Sequence, residues 1–184
     1  MRHGVRLAVD VGSVRVGVAR CDPEGLLATP VQTLARDGTT GADIEAIARL
    51  VREWGAIEVV VGLPLRLGGG EGPAAAAARG YAEAVARRVA PVGVRLVDER
   101  LSTVTATRAL RDAGRKERRA RPVVDQAAAV VFLQAALDAE RVSGRAPGQV
   151  VVIEQDDDPQ DDRHRTDRGR ESRRGGSTSV NKRL

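Results

Sequence analysis

Cysteine, histidine, lysine and aromatic residues are all scarce in this chain of 184 residues, and each scarcity excludes a class of function. One cysteine (Cys21) and two histidines (His3 and His164) are too few for a His/Cys zinc cluster, a disulfide scaffold or a catalytic centre built on several imidazoles. The two lysines, Lys116 and Lys182, follow no glycine at the spacing of a phosphate-binding P-loop. Three aromatic residues, Trp54, Tyr81 and Phe132, cannot build the stacking platform on which single-strand binders lay bases. No apolar run approaches the roughly 20 residues of a membrane span, and Met1-Arg2-His3-Gly4 leads straight into a strand-like run. The expectation is a cytoplasmic protein that makes no membrane contact.

Large apolar side chains are also nearly absent from Glu154 onward, so that stretch cannot offset the entropy lost on ordering. Residues 154–184 are therefore expected to be a disordered charged tail, with the folded domain spanning residues 1–153. The tail holds eight acids and eight bases, so the chain's net charge of +5 belongs to the body. Residues 108–121 alone carry seven bases against two acids, a net of +5 in one short segment. Such a run is either a solvated loop or, beside a cleft, a contact for phosphates with salt-dependent affinity.

Period and punctuation give the coarse structure. Strands are expected near residues 6–9, 14–20 and 28–34, joined around Gly12 and through Cys21-Asp22-Pro23-Glu24-Gly25, as an antiparallel meander. Ile44, Ile47, Ala48 and Val51 recur at helical spacing over residues 43–54, ended by Gly55. Residues 57–61 resemble a buried parallel strand. Pro73 opens an alanine-rich helix towards Val89, residues 94–97 form a further strand, and a helix over about 103–113 follows. Pro122 opens a last helix that reaches about Glu140, and residues 149–153 leave a marginal extra strand open. The order β-β-β-α-β-α-β-α-α implies an α/β domain with a mixed five-stranded sheet, a meander plus parallel strands, flanked by helices. Cys21, in the expected turn, reads as an exposed unpaired thiol, with an intersubunit disulfide as the alternative.

Three acids stand out by their neighbours. Asp10 ends the strand begun by Leu7-Ala8-Val9, Glu99 follows the strand at 94–97, and Asp125 precedes a helical stretch apolar on every face. Singly, each has a bland explanation: a turn at Asp10, a pair between Glu99 and Arg100, a favourable helix dipole at Asp125. Together they fall at element ends that this topology can gather, where they would repel one another unless a divalent cation relieved the repulsion. Two Mg²⁺ ions about 4 Å apart can activate water and stabilise the leaving oxygen of a phosphodiester, chemistry that needs no histidine.

The segments Val9-Asp10-Val11-Gly12-Ser13-Val14-Arg15-Val16-Gly17-Val18-Ala19, Val61-Gly62-Leu63-Pro64-Leu65, Glu71-Gly72-Pro73, Asp98-Glu99-Arg100-Leu101-Ser102-Thr103 and Val124-Asp125-Gln126-Ala127-Ala128 resemble the YqgF (RuvX) family, in order and over roughly residues 5–140. The resemblance implies a ribonuclease H-like fold related to the Holliday-junction resolvase RuvC. It also implies a cytoplasmic nuclease that matures the 5′ end of pre-16S ribosomal RNA, with junction resolution as the older assignment. Asp10, Glu99 and Asp125 match the family's acidic residues, expected to hold Mg²⁺ or Mn²⁺, and Ser13, Arg15 and Arg100 match polar motif positions suited to phosphate. Arg115, Lys116, Arg118 and Arg119 of the basic segment complete the expected substrate contacts. The loop Arg66-Leu67-Gly68-Gly69-Gly70 departs from the family in lacking the polar and acidic residues often seen there, which tells against substrate contact by its side chains, and the chain after Glu140 has no counterpart in the resemblance.

Two other classes stay open on residues alone. Asp10-Val11-Gly12 followed by Gly17 also resembles the phosphate loop of actin-like ATPases, although about 150 ordered residues supply one of the two domains those enzymes close over ATP. A non-catalytic RNA-binding module would use residues 108–121 and tolerate Asp10→Asn. Pre-ribosomal RNA and branched DNA present the same phosphates, and a monomer and a homodimer are equally compatible with the sequence.

Overall fold

Residues 6–11 are apolar at both parities apart from Arg6 and Asp10, the pattern of a strand covered on both faces, and they form the central strand β1 (Arg6–Val11). A computed structural model describes residues 2–66, 68–101 and 121–153. In chain order β1 is followed by β2 (Arg15–Cys21), β3 (Ala28–Ala35), α1 (Ala42–Trp54), β4 (Glu58–Leu63), α2 (Pro73–Val89), β5 (Gly93–Asp98), a 3₁₀ turn at Glu99–Leu101, α3 (Arg121–Ser143) and β6 (Gln149–Val150). The sheet order is β3-β2-β1-β4-β5-β6. The meander β1–β2–β3 is antiparallel, β1, β4 and β5 are parallel, and β6 returns antiparallel on β5. The sheet thus has six strands rather than the expected five: the marginal segment at 149–153 contributes two residues that pair Gln149 with Leu96 and Val150 with Arg95.

Alternation sorts the strand side chains into two layers. Leu7, Val9, Val18, Val59, Val61 and Leu96 meet Ile47, Val51, Tyr81 and Val85 beneath α1 and α2. Ala8, Ala19, Cys21, Val60 and Val97 meet Ala129, Phe132, Leu133, Ala136 and Leu137 of α3. The result is a sheet between two helical layers, with small residues on the α3 side admitting that helix closely.

Cys21 is a correction. It closes β2 opposite Ala28 and is fully buried in the α3 layer, with the Arg6 amide donating to its Sγ at 3.2 Å. The turn begins at Asp22, whose carboxylate accepts from the Leu26 and Leu27 amides. It starts one residue later than the turn signal in the sequence implies, and a buried thiol can neither be exposed nor cross-link subunits of the folded protein. The helix expected at 103–113, residues 115–119 and the segment 154–184 lie outside the described residues.

Candidate active site

Open sheets place ligands beyond the carboxyl ends of their parallel strands, and the expected acids lie at that edge. The β1–β4 register ends by pairing Val9 with Val61, each one residue before Asp10 and Gly62 in its strand; the β4–β5 register pairs Gly62 with Val97. Ala8, Val60 and Val97 line the α3 layer, so by alternation Asp10 and position 62 face that layer too. Leaving β5 at Asp98, the chain enters the 3₁₀ turn and Glu99 folds back over Gly62. A Cβ built on Gly62 would stand 2.6 Å from Glu99 Oε1 and 3.2 Å from its Cγ. Glu99 therefore lies over a residue with no side chain, in the strand next to the one that carries Asp10, and both acids are buried, at 5% and 8% exposure.

Two buried carboxylates so placed demand positive charge, and carboxylate oxygens are the donors that Mg²⁺ and Mn²⁺ prefer. The donor set, buried carboxylate oxygen, fits such an ion. Among the described residues no three of His, Cys, Asp and Glu gather as a metal cluster. The third expected acid, Asp125, is carried by α3, which touches the 3₁₀ turn; its side chain lies outside the described residues. Position 125 stands about one turn before buried Ala129 in α3.

The expected polar contacts fall on the same edge. The β1–β2 hairpin turns through Gly12, whose amide donates to the Arg15 carbonyl at 2.8 Å and whose Cβ, if it had one, would stand 2.7 Å from that oxygen. This close turn puts Ser13 at an exposed tip with Arg15 half-buried behind it. Arg100 is gripped by Asp98: its backbone amide donates to Oδ1 at 2.9 Å, and its Nε and Nη2 donate to the same carboxylate at 2.6–3.0 Å. That pairing holds the Asp98 carboxyl below the usual carboxylate range. Arg100 Nη1 also donates to the Arg66 carbonyl at 3.3 Å, tying the turn that carries Glu99 to the loop after β4. That loop, a small hairpin closed by Leu65 and Glu71, exposes the Arg66 side chain at the rim, a cation that sequence reading passes over. Arg115, Lys116, Arg118 and Arg119 lie outside the described residues.

Sequence reading finds Asp10 and Glu99 but assigns nothing to Gly62 or Asp98. A signal for Gly62 is present: a glycine inside an otherwise apolar strand marks a close approach.

Residues 4–139 match the RuvX family, described as "Holliday junction resolvase". A Kineococcus radiotolerans protein is 64% identical over 152 residues, covering 83% of this chain and 80% of its own, and bears the name "Putative pre-16S rRNA nuclease". A Streptomyces avermitilis protein of the same name is 56% identical over 157 residues, covering 83% of this chain and 97% of its own. Among solved structures, Thermus thermophilus RuvC in complex with a Holliday junction substrate superposes with a TM-score of 0.52 at 17% identity, covering 80% of this chain and all of that one. A second Thermus thermophilus RuvC structure gives 0.50 at 16% identity over 79% of this chain and 99% of that one. At such identities the likeness concerns the fold, which is ribonuclease H-like.

Proposed function

Because the chain belongs to the RuvX family, we propose that it is a divalent-metal-dependent endonuclease that hydrolyses phosphodiester bonds and processes the 5′ end of pre-16S rRNA in the cytoplasm. The observation that carries this reading is the pair of buried carboxylates at the carboxyl edge of the sheet, Asp10 in β1 and Glu99 lying over side-chain-free Gly62 in the neighbouring strand. Asp10, Glu99 and Asp125 would hold Mg²⁺ or Mn²⁺. When bound, the metal supplies an activated water and charge stabilisation at a scissile phosphate.

The chain's own residues do the rest. Burial of Asp10 and Glu99 keeps competing water away and fixes both carboxylates before substrate arrives. Arg100, pre-set by Asp98, and Arg66 beside it present cationic donors at the rim, with Ser13 and Arg15 on the opposite hairpin; these are suited to backbone phosphates, which fix register without reading sequence. The basic stretch Arg115, Lys116, Arg118 and Arg119 extends that surface. Residues 1–153 form the nuclease domain in this reading, and 154–184 a solvated tail.

A second reading, resolution of four-way DNA junctions, is favoured by the family's description and the RuvC-like fold. The test is cleavage of a pre-16S 5′-leader RNA and of a four-way DNA junction by wild type and Asp10→Asn, with Mg²⁺, Mn²⁺ or EDTA. Metal-dependent cutting of the leader, lost in the variant, is the expected result; preference for the junction selects the second reading. No cutting of either, with RNA binding intact in Asp10→Asn, refutes both and leaves a non-catalytic RNA-binding module.

A further inference from the structure

We propose that Gly62 is a positioning residue of the metal site, its absent side chain being the space in which the Glu99 carboxylate lies beside Asp10. The inference rests on the nuclease reading above and deepens it. β4 reads Glu58-Val59-Val60-Val61-Gly62-Leu63 and is buried at every position. A glycine there forfeits packing and adds backbone entropy to the unfolded chain, so a compensating reason is required. Backbone conformation is not that reason: Gly62 is not among the glycines with positive φ and pairs regularly with Val97.

The reason is the neighbour. The three atoms nearest a Cβ at position 62 all belong to Glu99, namely Oε1 at 2.6 Å, Cγ at 3.2 Å and Cδ at 3.3 Å. A methyl group would stand closer to the carboxylate oxygen than van der Waals contact allows, so that one of the two must shift, whereas one on Gly93, in the adjacent strand of the same sheet, would meet nothing within 4 Å. Glu99 follows directly on the end of β5, and its turn is braced by the Asp98–Arg100 pair, so the backbone cannot retreat freely. The Glu99 side chain must move instead, and its carboxylate leaves its place over position 62. Disturbing groups that orient a metal's ligands typically lowers affinity roughly 10–100-fold.

The experiment measures Mn²⁺ binding by electron paramagnetic resonance of free Mn²⁺ in wild type, Gly62→Ala, Gly93→Ala and Asp10→Asn, with unfolding in EDTA as a second readout. Gly62→Ala is expected to raise the Mn²⁺ Kd roughly 10–100-fold and Gly93→Ala to leave it unchanged. In EDTA, Gly62→Ala is expected to destabilise wild type but not a Glu99→Ala background, because the clash leaves with the glutamate. If Gly62→Ala fails to fold while Gly62→Ala/Glu99→Ala folds, the inference stands. Wild-type Mn²⁺ affinity in Gly62→Ala, or the same destabilisation with and without Glu99, overturns it. Mn²⁺ binding that survives in Asp10→Asn overturns the metal-site reading itself, a distinct result.

Discussion

Glu140 is buried near the end of α3, where its carboxylate accepts from the Arg2 amide and Nε at 3.1 Å, from Arg2 Nη2 at 3.0 Å and from Arg6 Nη2 at 3.2 Å. Arg2 also grips Glu58, which in turn accepts from Arg95 Nε at 3.1 Å. The Arg2 hydrogen bonds hold the Glu140 carboxyl down at about 2, against an ordinary value of 4.5. A difference of that size corresponds to about 3 kcal/mol of stability at neutral pH. Removing one partner of a buried pair costs about 3–5 kcal/mol by comparison, and here it takes from Arg6, itself 1% exposed with its Nε and Nη1 making no hydrogen bond, the carboxylate it pairs with at 3.2 Å. Glu140→Gln is therefore expected to lose about 3–5 kcal/mol in urea unfolding at pH 7, a large share of the roughly 5–15 kcal/mol typical of a domain. Because the folded carboxyl titrates low, its contribution is complete above the unfolded value near 4.5 and disappears as pH falls towards 2. The gap between wild type and Glu140→Gln must then narrow on acidification through that window. A gap under about 1 kcal/mol at pH 7, the ceiling for an exposed pair, or a gap that pH does not change, would refute the reasoning.

Tyr81, the sole tyrosine, is buried and donates to Asp43 at 3.1 Å; burial first, and the Asp43 charge next, push its phenol above the ordinary range, so absorbance should register phenolate only as the protein unfolds in alkali. Tyr81→Phe should cost about 1–3 kcal/mol by leaving the buried Asp43 carboxylate short of a donor, measured by equilibrium unfolding. Cys21 should resist a thiol reagent such as Ellman's until the fold opens, and no disulfide-linked dimer should run on a non-reducing gel; stoichiometric labelling under native conditions would contradict its burial. Replacing Arg115, Lys116, Arg118 and Arg119 by alanine should weaken binding of single-stranded RNA most at low salt and flatten the salt slope by about 0.7 for each phosphate that is no longer neutralised, whereas an unchanged slope would remove that segment from the interface.

Much of the fold is legible in the sequence because burial imposes a period. The stripe in residues 43–54 marks a helix that begins one residue earlier, at Ala42, and Pro73 opens α2 where its fixed φ predicts. Strand ends are less legible. The first strand is expected near residues 6–9 with Asp10 at its end, yet β1 runs on to Val11, because Gly17 and Val16 across the hairpin pair with Asp10 and Val11. Cys21 misleads for the same reason: alternation from Ala19 points it inward, but the adjacent Asp-Pro turn signal outweighs a pairing with Ala28 that no local window contains. The ion network at Glu140 is invisible altogether, since Arg2 and Arg6 lie 138 and 134 residues away in sequence.

At the site, the acids are legible because a carboxylate among buried strand residues conflicts with its surroundings, and such conflicts mark function. Gly62 is not, since an absent side chain gains meaning only from what fills its place. α3 joins the two ends of this logic. Glu140 pins the helix near the amino ends of β1 and β4, through Arg2, Arg6 and Glu58, while position 125 lies fifteen residues earlier, about 22 Å along the axis at 1.5 Å per residue. Between them Ala129, Phe132, Leu133, Ala136 and Leu137 seat the helix on small sheet residues, Ala8 and Ala19 among them, that allow little sliding. The ion pairs at one end and the close packing between set the register of the helix over the sheet, and with it the level at which position 125 stands along the sheet.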